Sequence, residues 1–323
     1  MSKEIKKVLV IKLGALGDFV LALAAMKKIR EAHPKAKITL LTTPPFEALA
    51  KLSPYFNAVE TDGRPGDFGE TLAMISRIRK AGYDRVYDLQ TNSRTNWYFQ
   101  LLRPFPPQWN GIAFGCALPQ KGKARLRMHT LERQADQLKA AGIWPDAPSE
   151  PGGAPAPDLS WILKRRKEAP PVAGAARPKP YVLLVPGGSA HRPEKRWPVE
   201  FYAQLASLLK ARGFDIVIIG GPQESAMARQ IQKAAAGARD LTGRTDFAQL
   251  ALLGAKAALA VGNDTGPTHL LAAAGAPTIA LFSDASDPDL CAPRGHVTVI
   301  RSPDLQALPV STVASAAMAL TTR

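Results

Sequence analysis

Residues 8–34 read VLVIKLGALGDFVLALAAMKKIREAHP. An apolar run of Val, Ile and Leu ends in a loop that carries Gly14, Gly17 and one carboxylate, Asp18. Beyond it Phe19, Leu23, Met26 and Ile29 recur at helical spacing. A strand over 7–13, a glycine-bearing turn and a helix over 19–32 form the first half of a β-α-β unit, so the chain reads as α/β with parallel strands. The glycines are spaced G-x-x-G, not G-x-G-x-x-G, and the next strand, ITLLT at 38–42, runs into TTPP without an acid. An NAD-dependent oxidoreductase is disfavoured on both counts. Asp18 has two readings, a helix N-cap or a group that does chemistry.

Working outward, a helix is expected around 71–80 and another strand in YDRVYDLQ, ending at Gln90. Between 145 and 180 nine prolines punctuate an Ala- and Gly-rich stretch, read as a linker with one helix at 159–168. The alternation then restarts: YVLLVP, a helix over 199–212, DIVIIGG, a helix over 224–235, ALAVG, a helix over 268–274 and PTIALF. The second half thus repeats the architecture of the first without repeating its sequence. The expected organisation is an N-terminal domain at 1–150, a linker at 151–178, a C-terminal domain at 179–308 and a helix at 309–323 that packs back on the first domain. Two doubly wound domains leave a cleft between them, and ligands in such sheets bind beyond the carboxyl ends of the strands.

Bulk properties narrow the partners. In 323 residues, 42 Lys and Arg stand against 27 Asp and Glu, a net charge of +15. The first 150 residues are the more basic part, with a dense patch at Lys121, Lys123, Arg125 and Arg127. Such a surface suits nucleic acid, anionic lipid or a phosphorylated substrate, or is simply solvated. No zinc-finger spacing or RNA-binding aromatic signature accompanies it, so nucleic acid is not expected. No apolar run reaches the length of a membrane span, and MSKEIKK lacks the apolar core of a signal peptide, so a cytoplasmic location is expected. Cys116 and Cys291 are too few for a disulfide framework or a cysteine zinc site.

Three loops that follow strands carry chemistry. GGSAHRPEKRWP at 187–198 offers two glycines, Ser189 and the cations His191, Arg192, Lys195 and Arg196. It is a phosphate cradle, although not a P-loop, or else a solvated basic turn before a helix. Glu224, after DIVIIGG, suits ribose hydroxyls or merely complements a helix dipole. NDTGPTH at 263–269 sets Asp264 and Thr265 before a helix whose first amides suit a diphosphate. Its bland reading is a capped helix with His269 as a satisfied core residue. Three anion-suited loops in one domain point to a nucleotide or a sugar nucleotide.

These pieces together resemble glycosyltransferase family 9, the bacterial lipopolysaccharide heptosyltransferases. The matching segments are IKLGALGD, YDRVYDLQTNSR, HTLER at 129–133, PGGSAHRPEKRWP, GGPQE, and GNDTGPTHLLAAAGAPTIALF followed by SDP at 286–288. The resemblance implies a GT-B arrangement of two Rossmann-like domains and an inverting reaction without metal or cofactor. It implies ADP-L-glycero-D-manno-heptose as donor and a phosphorylated inner-core acceptor, Kdo-lipid A or heptosyl-Kdo-lipid A. Position by position, Asp18 matches the catalytic base and Lys195 the lysine on the donor diphosphate, with Ser189 beside it. Glu224 matches the ribose-binding residue, while Asp264, Thr265 and Gly266 match contacts to sugar and phosphates, with His269 shaping the site. Arg94 falls where the family carries a basic residue near the acceptor, and Arg125 and Arg127 are expected to engage acceptor phosphates or the anionic inner leaflet. The enzyme is therefore expected at the cytoplasmic face of the inner membrane. Asp287-Pro288-Asp289 looks like a metal-binding D-x-D, but the resemblance implies no metal there. The segment Leu-Ala-Leu-Ala at 21–24 departs from the family, which carries a polar residue and a proline. The alternatives are a family member using another nucleotide sugar or a protein acceptor, and a non-catalytic nucleotide-binding protein on the same scaffold.

Overall fold

The computed structural model describes residues 4–148, 150–165, 179–189 and 191–321. The chain divides into two compact units, Met1–Ala156 and Pro157–Arg323.

In the first unit the order is β1 (Lys7–Ile11), α1 (Leu16–Leu21), α2 (Leu23–Ala32), β2 (Lys37–Leu41), α3 (Glu47–Leu52), β3 (Ala58–Glu60) and α4 (Phe68–Ala81). There follow β4 (Arg85–Asp88), α5 (Ser93–Leu102), β5 (Gln108–Gly111), β6 (Leu118–Pro119) and α6 (Thr130–Ala140). The strands form one parallel sheet in the order β3-β2-β1-β4-β5-β6. Alternate side chains of β1 serve opposite faces. Leu9 and Ile11 pack with Val86 and Trp109 against Met74, Ile75 and Ile78 of α4 and Tyr98, Phe99 and Leu102 of α5. Val8 and Val10 are equally buried on the other face. Coverage on both faces explains why this strand is apolar throughout and not alternating.

The second unit runs α7 (Trp161–Lys164), β7 (Tyr181–Val185), α8 (Val199–Ala211), β8 (Asp215–Ile218), α9 (Ser225–Ala234), β9 (Arg239–Asp240) and α10 (Phe247–Gly254). It continues with β10 (Leu259–Asn263), α11 (Gly266–Ala273), β11 (Thr278–Phe282), α12 (Pro288–Cys291), β12 (Val297–Arg301) and α13 (Val310–Thr321). Its sheet is also parallel, in the order β12-β11-β10-β7-β8-β9. Counted from its own first strand, this is the same order as in the first unit, the doubly wound pattern with its reversal between the first and fourth strands. Val182, Leu184, Ile216, Ile218, Val261 and Ile279 face α8, α9 and α13, which contributes Val313 and Ala317 to this core.

Several element boundaries differ from the sequence reading. The helix expected over 19–32 begins three residues earlier, at Leu16, and is interrupted at Ala22. Gly14 takes φ +107°, where a side chain is disfavoured, and its N-terminal position lets the helix start at once. The strands expected to reach residues 13 and 90 end at Ile11 and Asp88; beyond them Leu13 N donates to the Gln90 side chain, at 2.9 Å from Oε1, and not to a strand carbonyl. The helix expected over 268–274 starts at Gly266, with Pro267 in its first turn. The helix expected over 159–168 is the single turn α7; positions 166–168, like the linker positions 166–178, lie outside the described residues. Part of the expected linker is anchored: Leu159 and Ile162 are fully buried, and the Leu159 N–H donates to Ala273 O at 3.0 Å.

Candidate active site

The residues singled out by sequence fall into two groups, one at the strand carboxyl ends of each unit. In the second unit the reversal point lies between β7 and β10, and Asn263, the last residue of β10, closes it. Its Nδ2 donates to Pro186 O and Gly187 O, each at 3.0 Å. Its Oδ1 accepts from Trp197 N at 2.9 Å and from the Tyr202 hydroxyl at 3.1 Å. All four valences of a fully buried amide are used, which fixes the glycine loop after β7 and the entry to α8.

With that loop fixed, Lys195 comes to Asp264. Lys195 Nζ donates to Asp264 Oδ2 at 2.7 Å, and Ser286 Oγ donates to the same oxygen at 2.6 Å. His269 Nε2 stands 3.6 Å from Asp264 Oδ1. Burial alone would raise the Asp264 carboxyl, but hydrogen bonds from His269, Lys195 and Ser286 outweigh it and hold the group below the usual carboxylate range. The structure thus brings Lys195, Asp264 and His269 into one cluster. His269 is buried in the first turns of α11, and its Nδ1 has no partner among the described residues. Thr265 is the N-cap of α11 but makes no side-chain cap bond; Pro267 has no N–H, so the amides left uncapped in the first turn are those of Gly266 and Thr268. Ser189 is exposed at the rim, its carbonyl held by Arg196 Nη2 at 2.9 Å.

Glu224 is more buried than a dipole partner needs to be, at 4% exposure. Its Oε2 accepts from Gly221 N at 2.7 Å. The carboxylate lies so close to two strand-end glycines that a methyl on Gly187 would stand 2.6 Å from Glu224 Cγ, and one on Gly220 2.8 Å from its Cβ. The loops after β7 and β8 are therefore shaped around this acid. Asp287, read as half of a D-x-D, caps α12: its Oδ1 accepts from Asp289 N at 3.0 Å.

In the first unit the reversal lies between β1 and β4. Asp18 is exposed on the first turn of α1, as its third residue; the N-cap is Ala15 with no side-chain bond, so the capping role does not hold. Behind it Lys12 is buried at 4% exposure, and its Nζ donates to Leu89 O at 3.2 Å. Burial pushes the Lys12 ammonium down; Asp18 and Asp88 favour its charge, while Arg133 and Arg64 oppose it. Arg133 is held down by burial and by Arg125, and favoured by Asp18. Asp88 is fully buried, which pushes it up to about 6 against hydrogen bonds from Thr91, Thr95 and Gln90 and the charge of Lys12. Arg125 Nε donates to Gln120 Oε1 at 3.1 Å. Arg94, on the first turn of α5, reaches the hydroxyl of Tyr98, whose ionisation burial opposes. Arg127 is exposed at the end of the turn Ala124–Arg127. Asp18 thus lies within electrostatic reach of two cations, Lys12 and Arg133.

Sequence reasoning passed over Lys12, Arg133, Ser286 and Asn263. A signal existed for Lys12, a charge at the end of a wholly apolar run, which is costly unless the site uses it. Asn263 carries no such mark, since its four partners lie far along the chain.

The family model for glycosyltransferase family 9 (heptosyltransferase) matches residues 71–316. Lipopolysaccharide heptosyltransferase 2 of Escherichia coli K12 is 25% identical over 313 residues, covering 90% of this chain and 86% of its own. The structure of E. coli ADP-heptose lipopolysaccharide heptosyltransferase II superposes with a TM-score of 0.79 at 23% identity, over 98% of each chain. E. coli heptosyltransferase WaaC with ADP superposes with a TM-score of 0.72 at 21% identity, over 97% of this chain and 99% of that one. At such identities the structural likeness speaks for the GT-B fold. The family match spans elements of both units and includes the Lys195, Glu224 and Asp264 loops, and with it this protein belongs to glycosyltransferase family 9 and is a glycosyltransferase.

Proposed function

We propose that this enzyme transfers heptose from ADP-L-glycero-D-manno-heptose to the phosphorylated inner core of a lipopolysaccharide precursor, with inversion and without a metal. The observation that carries the reading is the cluster in which Lys195, poised at 2.7 Å from Asp264, stands beside the amides that open α11. A nucleoside diphosphate has two anionic groups to satisfy, and a lysine and a helix N-terminus suit both. Glu224, pressed between Gly187 and Gly220, accepts ribose hydroxyls; Asp264 and the Thr265 and Gly266 amides hold sugar and phosphates; Ser189 closes the rim.

In the reaction, Asp18 takes the proton of the acceptor hydroxyl as its oxygen attacks the anomeric carbon. The bond from that carbon to the phosphate oxygen breaks on the opposite face, and ADP leaves with the electron pair. Lys195 and the α11 amides stabilise the charge that appears on the leaving diphosphate. Arg94, Arg125 and Arg127 receive the acceptor's phosphates and acidic sugars. The acceptor is lipid-borne, so the enzyme works as a peripheral protein on the cytoplasmic side of the membrane. No helix among the described residues is long and apolar enough to cross one.

The test is ADP release from ADP-heptose with Kdo-bearing lipid A, alongside calorimetric titration with ADP. Asp18→Asn is expected to cut turnover by about 10²–10⁴-fold while keeping ADP affinity. Unchanged turnover in that variant would remove Asp18 as base. Tight ADP binding without transfer to this acceptor would overturn the acceptor assignment and favour another sugar or a protein acceptor.

A further inference from the structure

Between Asp88 and Glu132 the sequence holds no carboxylate, yet it holds Arg94, Arg103, Lys121, Lys123, Arg125 and Arg127. The same stretch carries the two most exposed aromatic rings of the described residues, Phe105 at 88% and Phe114 at 86%, and with them Trp97 at 66%. Leaving such rings in water forfeits most of what their burial contributes, and a chain with an apolar core as complete as this one has no packing reason to do so.

The three rings share one region of the first unit. Gln100 Nε2 on α5 donates to Phe114 O at 3.1 Å, which lays the β5–β6 connection along the helix. Trp97 lies one turn before Gln100 on the same helix face. Arg103, just past the end of α5, brings its guanidinium within 3.7 Å of where a Gly115 side chain would begin, next to Phe114. Pro104 and Phe105 follow directly. Arg79 Nη2 donates to Leu101 O at 3.0 Å and adds a second exposed guanidinium beside the helix end. The result is a set of separate, protruding rings around Arg103, with Arg79 beside them and no acid within the segment.

We propose that this surface of α5 and the β5–β6 connection docks on an anionic phospholipid bilayer, with Trp97, Phe105 and Phe114 entering the headgroup region and Arg103 and Arg79 meeting lipid phosphates. Protruding rings flanked by guanidinium groups are the chemistry of an interfacial anchor. A second copy of this chain fits poorly, because it would bring a like-charged, acid-free face against this one. The choice of lipid over single-stranded nucleic acid, which also stacks on aromatics, rests on the lipid-borne acceptor proposed above.

The test uses the full chain in flotation with vesicles of phosphatidylethanolamine and phosphatidylglycerol, against phosphatidylcholine alone. Wild type is expected to float with the anionic vesicles, less so as salt rises. Phe105→Ser/Phe114→Ser is expected to weaken that binding at least about tenfold, since two rings lose their burial. Arg103→Glu should weaken it further. ADP release with a delipidated, water-soluble acceptor stays at the wild-type rate in both variants, which also shows that they fold. Vesicle binding unchanged by the double variant overturns the inference. So does wild type that does not float, a wild-type dimer that the double variant makes monomeric, or loss of polyuridylate binding with vesicle binding retained. Transfer and docking fail separately: flotation lost in the variants of an enzyme that transfers no heptose keeps the surface and removes the function, and the reverse result removes only the surface.

Discussion

A single methyl group at Gly187 tests the way Glu224 is held. Gly187→Ala would set its Cβ at 2.6 Å from Glu224 Cγ, 2.8 Å from Cδ and 2.9 Å from Oε1, so the carboxylate has to leave its place. The backbone itself tolerates alanine, because Gly187 is not among the positive-φ glycines. Forcing a methyl into filled space costs about 1–3 kcal/mol. The smaller entropy of the unfolded chain returns about 0.4–1 kcal/mol. The net loss of about 0.5–2 kcal/mol lowers the melting temperature of a unit this size by roughly 2–8 °C. Donor binding suffers separately: a hydrogen bond from ribose to a charged carboxylate is worth about 1.5–3 kcal/mol, so ADP should bind about 10–150-fold more weakly. The two effects separate in a cycle with Glu224→Ala. Once the acid is truncated the methyl has room, and adding Gly187→Ala should then cost less than about 0.5 kcal/mol in stability and nothing further in ADP affinity. Thermal unfolding and calorimetric ADP titration of the four proteins decide it. The reasoning is refuted if Gly187→Ala matches wild type in both readings, or if it costs the same with and without Glu224.

Asn263→Ala strips four hydrogen bonds from buried partners and should lower stability by about 3–5 kcal/mol in urea unfolding; a loss below about 1 kcal/mol would contradict the role given to it. Asp88 predicts a pH effect. Its folded value of about 6 lies above the unfolded 3.8, so the folded protein holds the proton more tightly and stability from this group is lost as pH rises from about 4 to 6. The size is about 3 kcal/mol. His33, pushed down to about 4 by burial with Arg85 and Arg30 adding to it, acts with the opposite sign, its contribution rising with pH from about 4 to 6.5. The measurable quantity is therefore the difference between wild type and Asp88→Asn, which should shift toward the variant by about 3 kcal/mol between pH 4 and pH 7. A constant difference would rule out the titration.

Sequence pattern revealed much of this molecule because its strands are covered on both faces and therefore read as unbroken apolar runs, from VLVI to TIALF. The glycine loops that follow them carry candidate chemistry in their residue types, so Lys195, Glu224 and Asp264 stood out as candidates, Glu224 reading from the sequence alone more as the partner of a helix dipole. Less was visible where the signal is tertiary. The helix α5, with Ser, Arg, Thr and Asn in its first turns, has weak periodicity and is held by Tyr98, Phe99 and Leu102 in the core. The strands β3, β6 and β9 are three residues or shorter and form only because a neighbour is there to pair with. Asp18 was misjudged as a cap candidate because the helix begins at Leu16, a start that Gly14 permits and no capping side chain announces. Lys12 received no reading of its own from the sequence, because its partner, Leu89 O, lies far along the chain.

The closing contacts at the two reversal points span the same length of chain. Lys12 reaches Leu89 and Leu13 reaches Gln90, each across 77 residues, and Asn263 reaches Pro186 across 77 as well. The central strand pairs have the same reach: β1 meets β4 at Val8 and Arg85, and β7 meets β10 at Val182 and Leu259. Each site is therefore tied to the closure of its own sheet, the entropically costly long-range pairing in its unit. A ligand that binds only the closed sheet stabilises that unit by mass action.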